Sequence, residues 1–443
     1  MTEAISTMSN CLKSFEKRLA GLPDQEASWL QALRTKARDR FRATGIPTTR
    51  HEEWRFTNLK PLEGVAFTPA GTEAAPPVEI PPFVSEDAHR LTVVNGRFSP
   101  EMSHLEGLPE GVVVKSLAAA ITENPDEVSA HLGKYATDPD HAFLQLNTAL
   151  FRDGAFVVVP RGKVVEKPIV LLSIATSGEE PYSAHPRNLI IAGEACQMTV
   201  VEAYVGATDS TYFLNPVTEI VLEQAAVVDH YRLQEESSEA FHLGVLQIHQ
   251  ARDSNFADHN LVFGGGISRV DFNAGLHGEG IECTLNGLTL ARGSQLVDNH
   301  TFIHHAEPHC HSFEVYKTIL DESSHGVFNG RILVAQKAQK TDAKQTNQNL
   351  LLSGKSTINT KPQLEIFADD VKCTHGATIG QLDANAIFYL RSRGIREEAA
   401  RSILTRAFAS YVLERIKVEA LRQHVEDLLC ERLPMGELVQ GAL

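Results

Sequence analysis

The chain predicts a mainly β fold with helical segments at both ends. Three observations carry this. Between residues 88 and 382, short β-branched apolar runs recur, each bounded by Gly, Asn, Asp or Pro. No helical pattern of about 10–15 residues alternates with them, which argues against a doubly wound sheet. Before and after this stretch the apolar residues switch to a period of about 3.6. The expected division is residues 1–87, a helical region and linker; 88–382, the β core; and 383–443, a helical tail.

The elements follow in chain order. Trp29, Leu33, Ala37 and Phe41 recur every four residues and Leu30 widens their stripe, so they predict an amphipathic helix. Gly45-Ile46-Pro47 stops it, because proline disfavours the α conformation in the residue before it. His51 to Thr57 is amphipathic without a clear period. Residues 71–83, rich in Pro, Ala and Gly, read as a linker or extended arm. Strands are expected at Leu91–Val94, Ala155–Val159, Ile169–Leu172, Leu189–Ile191, Met198–Val201, Ile220–Leu222, Leu243–Ile248 and Leu288–Leu290. Within the core only Leu117–Leu132 has a helical pattern. Small residues recur between runs, as at Gly193-Glu194-Ala195, Gln224-Ala225-Ala226 and Asn273-Ala274-Gly275. That texture suits the stacked turns of a β-solenoid. No strict period repeats, so a large sandwich stays open on this evidence. In the tail, Ile403, Ala407, Tyr411 and Val412, and Ile416 form one helical stripe, flanked by Leu404 and Phe408. Leu421, Val425, Leu428 and Leu429 form another, and Arg391-Ser392-Arg393-Gly394 is a turn before them.

Composition removes several function classes. At 443 residues with 42% apolar and 22% charged residues, the chain can bury a sizeable core. A formal charge of −15 without a Lys/Arg block disfavours nucleic acid and anionic membranes. No apolar run approaches the roughly 18 residues of a membrane span, and Met1–Asn10 lacks an apolar signal core. A cytoplasmic location is expected. The six cysteines, Cys11, Cys196, Cys283, Cys310, Cys373 and Cys430, are scattered, so free thiols are expected rather than a disulfide framework. Gly264-Gly265-Gly266 lacks the Lys-Ser/Thr of a phosphate-binding loop and reads as a tight turn. Nucleophile-elbow and metalloprotease motifs are also missing.

Two constellations could carry chemistry. Asp298, Asn299, His300, His304, His305, His309, Cys310 and His311 crowd a short stretch. Imidazole and thiolate suit iron or zinc, and Cys310 with His305 would be the first choice there. The favoured reading is that these histidines are polar residues on an exposed β surface or a wet interface, because several of them converge on one ion only with a turn between them. The second constellation is Cys373-Thr374-His375. On an extended segment residues i and i+2 share a face, and a nearby imidazolium would lower the thiol pKa and favour thiolate. The plain alternative is a small buried cysteine beside a hydrogen-bonded turn histidine.

The stretch Phe367-Ala368-Asp369-Asp370-Val371-Lys372-Cys373-Thr374-His375-Gly376, with Ala377–Gln381, Asp383 and Phe388–Ile395 after it, resembles the signature of the SufB/SufD scaffold family of the SUF iron–sulfur cluster assembly system. Asn147–Gly154, Val327–Ile332, Asp342–Gln345, Leu350–Leu352 and Pro362–Ile366 are similar to it as well, so the resemblance spans most of the chain. Glu53–Thr57 is like the D-type subunit. So is the Gly-Ala-Thr-Ile-Gly after His375, where the B type has an acidic residue. The chain also lacks the longer N-terminal region of B-type subunits.

The resemblance implies a right-handed parallel β-helix between N- and C-terminal helical domains. It implies a SufB-like partner through the β-helix core, a SufC-like ATPase on the C-terminal helices, and a homodimer when the chain is alone. It also implies that Cys373 and His375 ligate iron or a nascent iron–sulfur cluster, transiently and shared with the partner. On that reading the chain is not an enzyme. The alternatives are a purely structural partner that couples the ATPase to the B-type subunit, and a β-helix carbohydrate-active enzyme. The latter would be expected to show acidic calcium sites and a basic residue in a groove.

Overall fold

The structure is a computed structural model that describes residues 9–21, 26–70, 80–84, 87–176, 178, 180–206 and 210–436. Most of the expected linker, including Ala74–Pro77, lies outside the described residues. Nine α-helices are described: α1 (Asn10–Ala20), α2 (Ser28–Thr44), α3 (Lys60–Glu63), α4 (Leu117–Glu123), α5 (Pro125–His131), α6 (Ala142–Leu150), α7 (Ala384–Ser392), α8 (Glu397–Leu413) and α9 (Glu419–Arg432). The weak helical pattern at Leu117–Leu132 becomes the pair α4 and α5.

Between α3 and α7 the chain winds as a parallel β-helix. Successive strands alternate between two sheets, which end at Thr357–Ile366 and Lys372–Gly380. Neighbours within a sheet are parallel, except for Val113–Ser116 on Ala155–Val159 and His89–Val94 on Arg97–Phe98. This is the expected fold class, and it removes the sandwich, whose sheets are antiparallel.

Strand register explains why no sequence period was visible. Val217, Val245, Asp271, His300, Asn329 and Lys361 stack in one column. Their spacing is therefore 28, 26, 29, 29 and 32 residues. Each coil closes at its own length, so a fixed-period search fails although the geometry repeats.

The pleat sends alternate residues inward. One inward column runs Val157, Ile190, Ile220, Ile248, Ala274, Ile303, Ile332 and Leu364. Its members from Val157 to Ile332 are buried. Each large aliphatic side chain stabilises the stack by about 1.5–3 kcal/mol. At one corner of five coils sits a non-glycine residue with left-handed backbone, Ala195, Ala225, Asp253, His309 and Lys340, with φ between 53° and 64°; Gly280 takes that place in the coil between Asp253 and His309. The amide N–H of each of the five donates to a carbonyl in the next coil, which satisfies turn groups that would otherwise be costly to bury. Gly193–Ala195 and Gln224–Ala226 are corners, as expected. Asn273-Ala274-Gly275 is not a turn; it lies inside the strand Ile267–Leu276, where Ala274 belongs to the inward column. The Gly264–Gly266 turn is tight as expected: Gly265 has φ +84°, and a Cβ on Gly264 would sit 2.2 Å from the Glu236 amide nitrogen.

Helices cover the outer faces. α1 and α6 pack with Phe213, Phe241, Leu243 and Ile267 of the first sheet. Ser9 caps α1 by accepting from the Leu12 N–H. In α2 the buried face is Leu30, Arg34, Ala37 and Phe41, rotated from the Trp29–Leu33 stripe. The cause is Arg34, whose guanidinium donates to the Ala149 and Phe151 carbonyls at 3.0 and 2.8 Å. These are the carbonyls left open where α6 ends. α6 itself escaped prediction because it is buried on every side and has no amphipathic stripe. On the second sheet, Ala409, Val412, Leu413, Ile416, Leu421 and Val425 meet Leu233, Leu261, Leu288 and Ile319. The buried face of α8 includes Ser402, Thr405, Ala409 and Val412, whereas Ala407 and Tyr411 are exposed. The expected stripe through Ile403, Ala407 and Tyr411 is thus displaced, because small residues let the helix approach the sheet closely.

Candidate functional site

The last coil is formed by Thr357–Ile366 and Lys372–Gly380, each the terminal strand of its sheet. Among the described residues one edge of each lacks a strand neighbour and presents backbone N–H and C=O groups for pairing. Around this end stand large exposed apolar groups: Phe367 at 63%, Ile379 at 53%, Phe388 at 73% and Tyr389 at 56% exposure.

Register puts Cys373 and His375 on the lumenal face of this coil. Cys373 continues the column Cys283, Ser312, Ala343; His375 continues Leu285, Glu314, Gln345. The inner members are all buried, while Cys373 is half-buried against the core and His375 is exposed. Side chains two apart on a strand share a face, as expected, so thiol and imidazole stand together at the mouth of the lumen. The expected thiolate is not favoured in the free chain. Burial raises the Cys373 pKa, and nearby Asp342 raises it further.

Behind this mouth the lumen turns polar, which the sequence did not reveal. Gln345 donates from Nε2 to Oε2 of Glu314 at 2.7 Å, and burial raises Glu314 to about 7. Asn349 donates to Asn347 Oδ1 at 2.6 Å and Thr360 to the same oxygen at 2.9 Å. Such residues read as surface until register shows which way they point.

The residues 298–311 are dispersed by the fold. His300, His304 and His305 lie on the strand Leu296–His305, His309 is a corner, and His311 begins the next strand in the other sheet. Cys310 is fully buried, with its thiol donating to the Gly278 carbonyl at 3.1 Å. His305 faces inward, with Nε2 2.8 Å from the Ser312 hydroxyl; burial lowers its pKa to about 3. His300 is on the outer face beneath the Glu52–Trp54 turn, and it contacts Asp298 at 3.0 Å and Glu53 at 3.5 Å. Among the described residues no group of three or more His, Cys, Asp or Glu is placed to hold a metal ion. The Cys310 thiol and the Nε2 of His305 therefore have their own partners inside the wall, and Cys373 with His375 forms at most half a ligand set.

Comparison with known proteins fits this architecture. Residues 174–408 match the SufBD core domain of SUF system FeS cluster assembly, and residues 5–171 match the SufBD protein N-terminal region. The chain belongs to the SufBD family. An iron–sulfur cluster assembly SufBD family protein of Synechocystis is 36% identical over 92% of this chain and 93% of its own length. The iron–sulfur cluster assembly protein SufD of Escherichia coli is 34% identical over 89% and 90%, and SufD of Bacillus subtilis 25% over 96% and 98%. Within the SufBD family the likeness is to the D type. No helix among the described residues is long and apolar enough to cross a membrane.

Proposed function

We propose that this chain, which as a SufBD-family member has its role in iron–sulfur cluster assembly in the SUF system, is a scaffold subunit without catalytic activity of its own. It works in the cytoplasm. A B-type subunit joins it at the open end of the β-helix, and an ATPase subunit, which performs the ATP hydrolysis, docks on the C-terminal helices. Iron or a nascent cluster is the cargo. Cys373 and His375 hold it transiently from one side, and the partner completes the ligand set. The domains act as three parts: an N-terminal region to residue 87, the β-helix over 88–382, and the helices from 383.

One observation carries this reading: a thiol and an imidazole face the mouth of the lumen in the last coil, whose outer strand edges have no strand neighbour among the described residues. A thiolate and an imidazole are both iron ligands. A partner that covers this mouth would sit where its own ligands reach the same ion. Displacement of the thiol proton by metal explains how a thiol with a raised pKa can serve, because metal binding releases that proton.

The test is replacement of Cys373 or His375 by Ala in the co-expressed complex. Complex assembly should be retained, while iron and acid-labile sulfide, and maturation of client proteins, should fall. Unchanged iron and sulfide content in both variants would overturn the ligand role. It would favour a second reading, in which the chain only couples the ATPase to the B-type subunit. That reading draws on the protonated state that burial favours for Cys373.

A further inference from the structure

Gln345 and Glu314 lie directly behind His375 in the lumen. Leu285, Glu314, Gln345 and His375 are successive members of one lumenal column, so neighbouring side chains are about 4.8 Å apart at their roots and point the same way. Gln345 and Glu314 are each 1% exposed. The 2.7 Å bond from Gln345 Nε2 to Glu314 Oε2 orients the amide. Its NH2 end faces the carboxyl, and its carbonyl is left over. That carbonyl, Oε1, is buried and has no hydrogen-bond partner. A buried acceptor without a donor is costly and uncommon. Across the lumen the fold makes room for this amide: a Cβ on Gly330 would come within 2.3 Å of Gln345 Nε2 and 2.8 Å of its Cδ. The next residue of the column on the open side is His375.

We propose that Gln345, oriented by Glu314, is a positioning residue for His375: its unpartnered carbonyl accepts one imidazole N–H when the exposed ring turns inward over the mouth of the lumen, and leaves the other ring nitrogen with a free lone pair. A neutral imidazole carries one N–H and one lone pair, and the bond made by one nitrogen sets the tautomer of the ring. A ligating histidine is normally held in this way through its other N–H. The proposal deepens the ligand reading of His375 and rests on it for its purpose. The tautomer itself can be measured without any metal.

The experiment uses the full-length chain labelled with 15N-histidine, at a pH where imidazole is neutral. The His375 ring signals are assigned by their loss in His375→Asn. Wild-type protein should show one dominant tautomer. Gln345→Met should mix the two, and Glu314→Leu should do the same because the amide loses its holder. Glu314→Gln should keep the wild-type tautomer, since a second amide carbonyl still accepts from Gln345. Circular dichroism checks that each variant is folded. Unchanged tautomer populations in folded Gln345→Met overturn the proposal. A separate arm titrates Co(II) into the chain co-purified with a B-type subunit. Gln345→Met should weaken binding by about tenfold. If His375→Ala leaves Co(II) affinity unchanged, the ligand reading falls, and the tautomer measurement still decides the positioning role.

Discussion

His300 shows how burial and charge compete at a single residue. Burial and the neighbouring Arg269 press its pKa down, but Asp298 and Glu53 outweigh them, so it stands above the ordinary 6.5. Folding thus favours the protonated ring. The stability it contributes is fully present below pH 6.5 and is lost as pH rises through the higher folded value. His300→Gln should therefore flatten the fall in Tm from pH 6.5 upward; calorimetry across that range, with an identical slope in the variant, would refute it. Cys310 makes the opposite point. Its thiol packs inside the wall and donates to Gly278. Cys310→Ala should cost about 1 kcal/mol in urea unfolding and leave the iron content of the complex unchanged. The pattern of residues 298–311 was legible as a cluster in sequence only because spacing along the chain hides direction. Strand pleat, a left-handed corner at His309 and a change of sheet at His311 separate what the sequence crowds together.

At the scale of elements, the turn Glu52–Trp54 clasps the N-terminal region to the β-helix. The Arg269 guanidinium lies 3.8 Å over the Trp54 ring, donates to the Glu53 carbonyl, and pairs with Asp271 and Asp298 at 2.7 and 3.0 Å. Thr57 donates to Asp298 at 2.5 Å. Arg269→Ala would take the guanidinium from two buried carboxylates, leaving Asp271 with His141 and Asp298 with His300 and Thr57, and should cost about 3 kcal/mol, read from denaturant midpoints. The tail gives a functional prediction. Ala407 and Tyr411 point outward from α8, and Arg415 lies 3.5 Å over the Tyr411 ring. Tyr411→Glu should leave the fold intact and reduce capture of the ATPase in a pull-down; full capture would place the docking surface elsewhere. The helices α2, α8 and α9 were legible because each has an apolar face. α6 was not, because a helix surrounded by protein has no polar side to reveal its period.

Across the whole molecule, the two ends of the β-helix differ. At the first end, antiparallel pairs flank the stack and Phe98, Leu105, Leu108, Val112 and Val114 pack against its inner core. At the last end, Thr357–Ile366 and Lys372–Gly380 remain open, beside Phe367 and Ile379. Exposed strand edges of this kind recruit other strands unless they are covered. In the absence of other subunits, the chain should therefore pair with itself. Phe367→Asp combined with Ile379→Lys should shift analytical ultracentrifugation toward the monomer. A dimer of undiminished affinity would assign self-association to another face.

The sequence by itself determined the texture of the molecule. Apolar runs with turn residues between them meant strands, two terminal 3.6-residue stripes meant helices, and the segment Phe367–Gly376 carried the family. These are local properties, written in neighbouring residues. Tertiary structure alone decided which polar residues enter the lumen, and which of the six cysteines stands at an open end. Both depend on coil lengths of 26 to 32 residues, set by the register of strands far apart in the chain. A shift of one residue in any coil would reverse every side chain that follows within the strand. Cys373 and His375 could be named from the sequence, but Gln345 and Glu314 behind them could be found only once the coils were stacked.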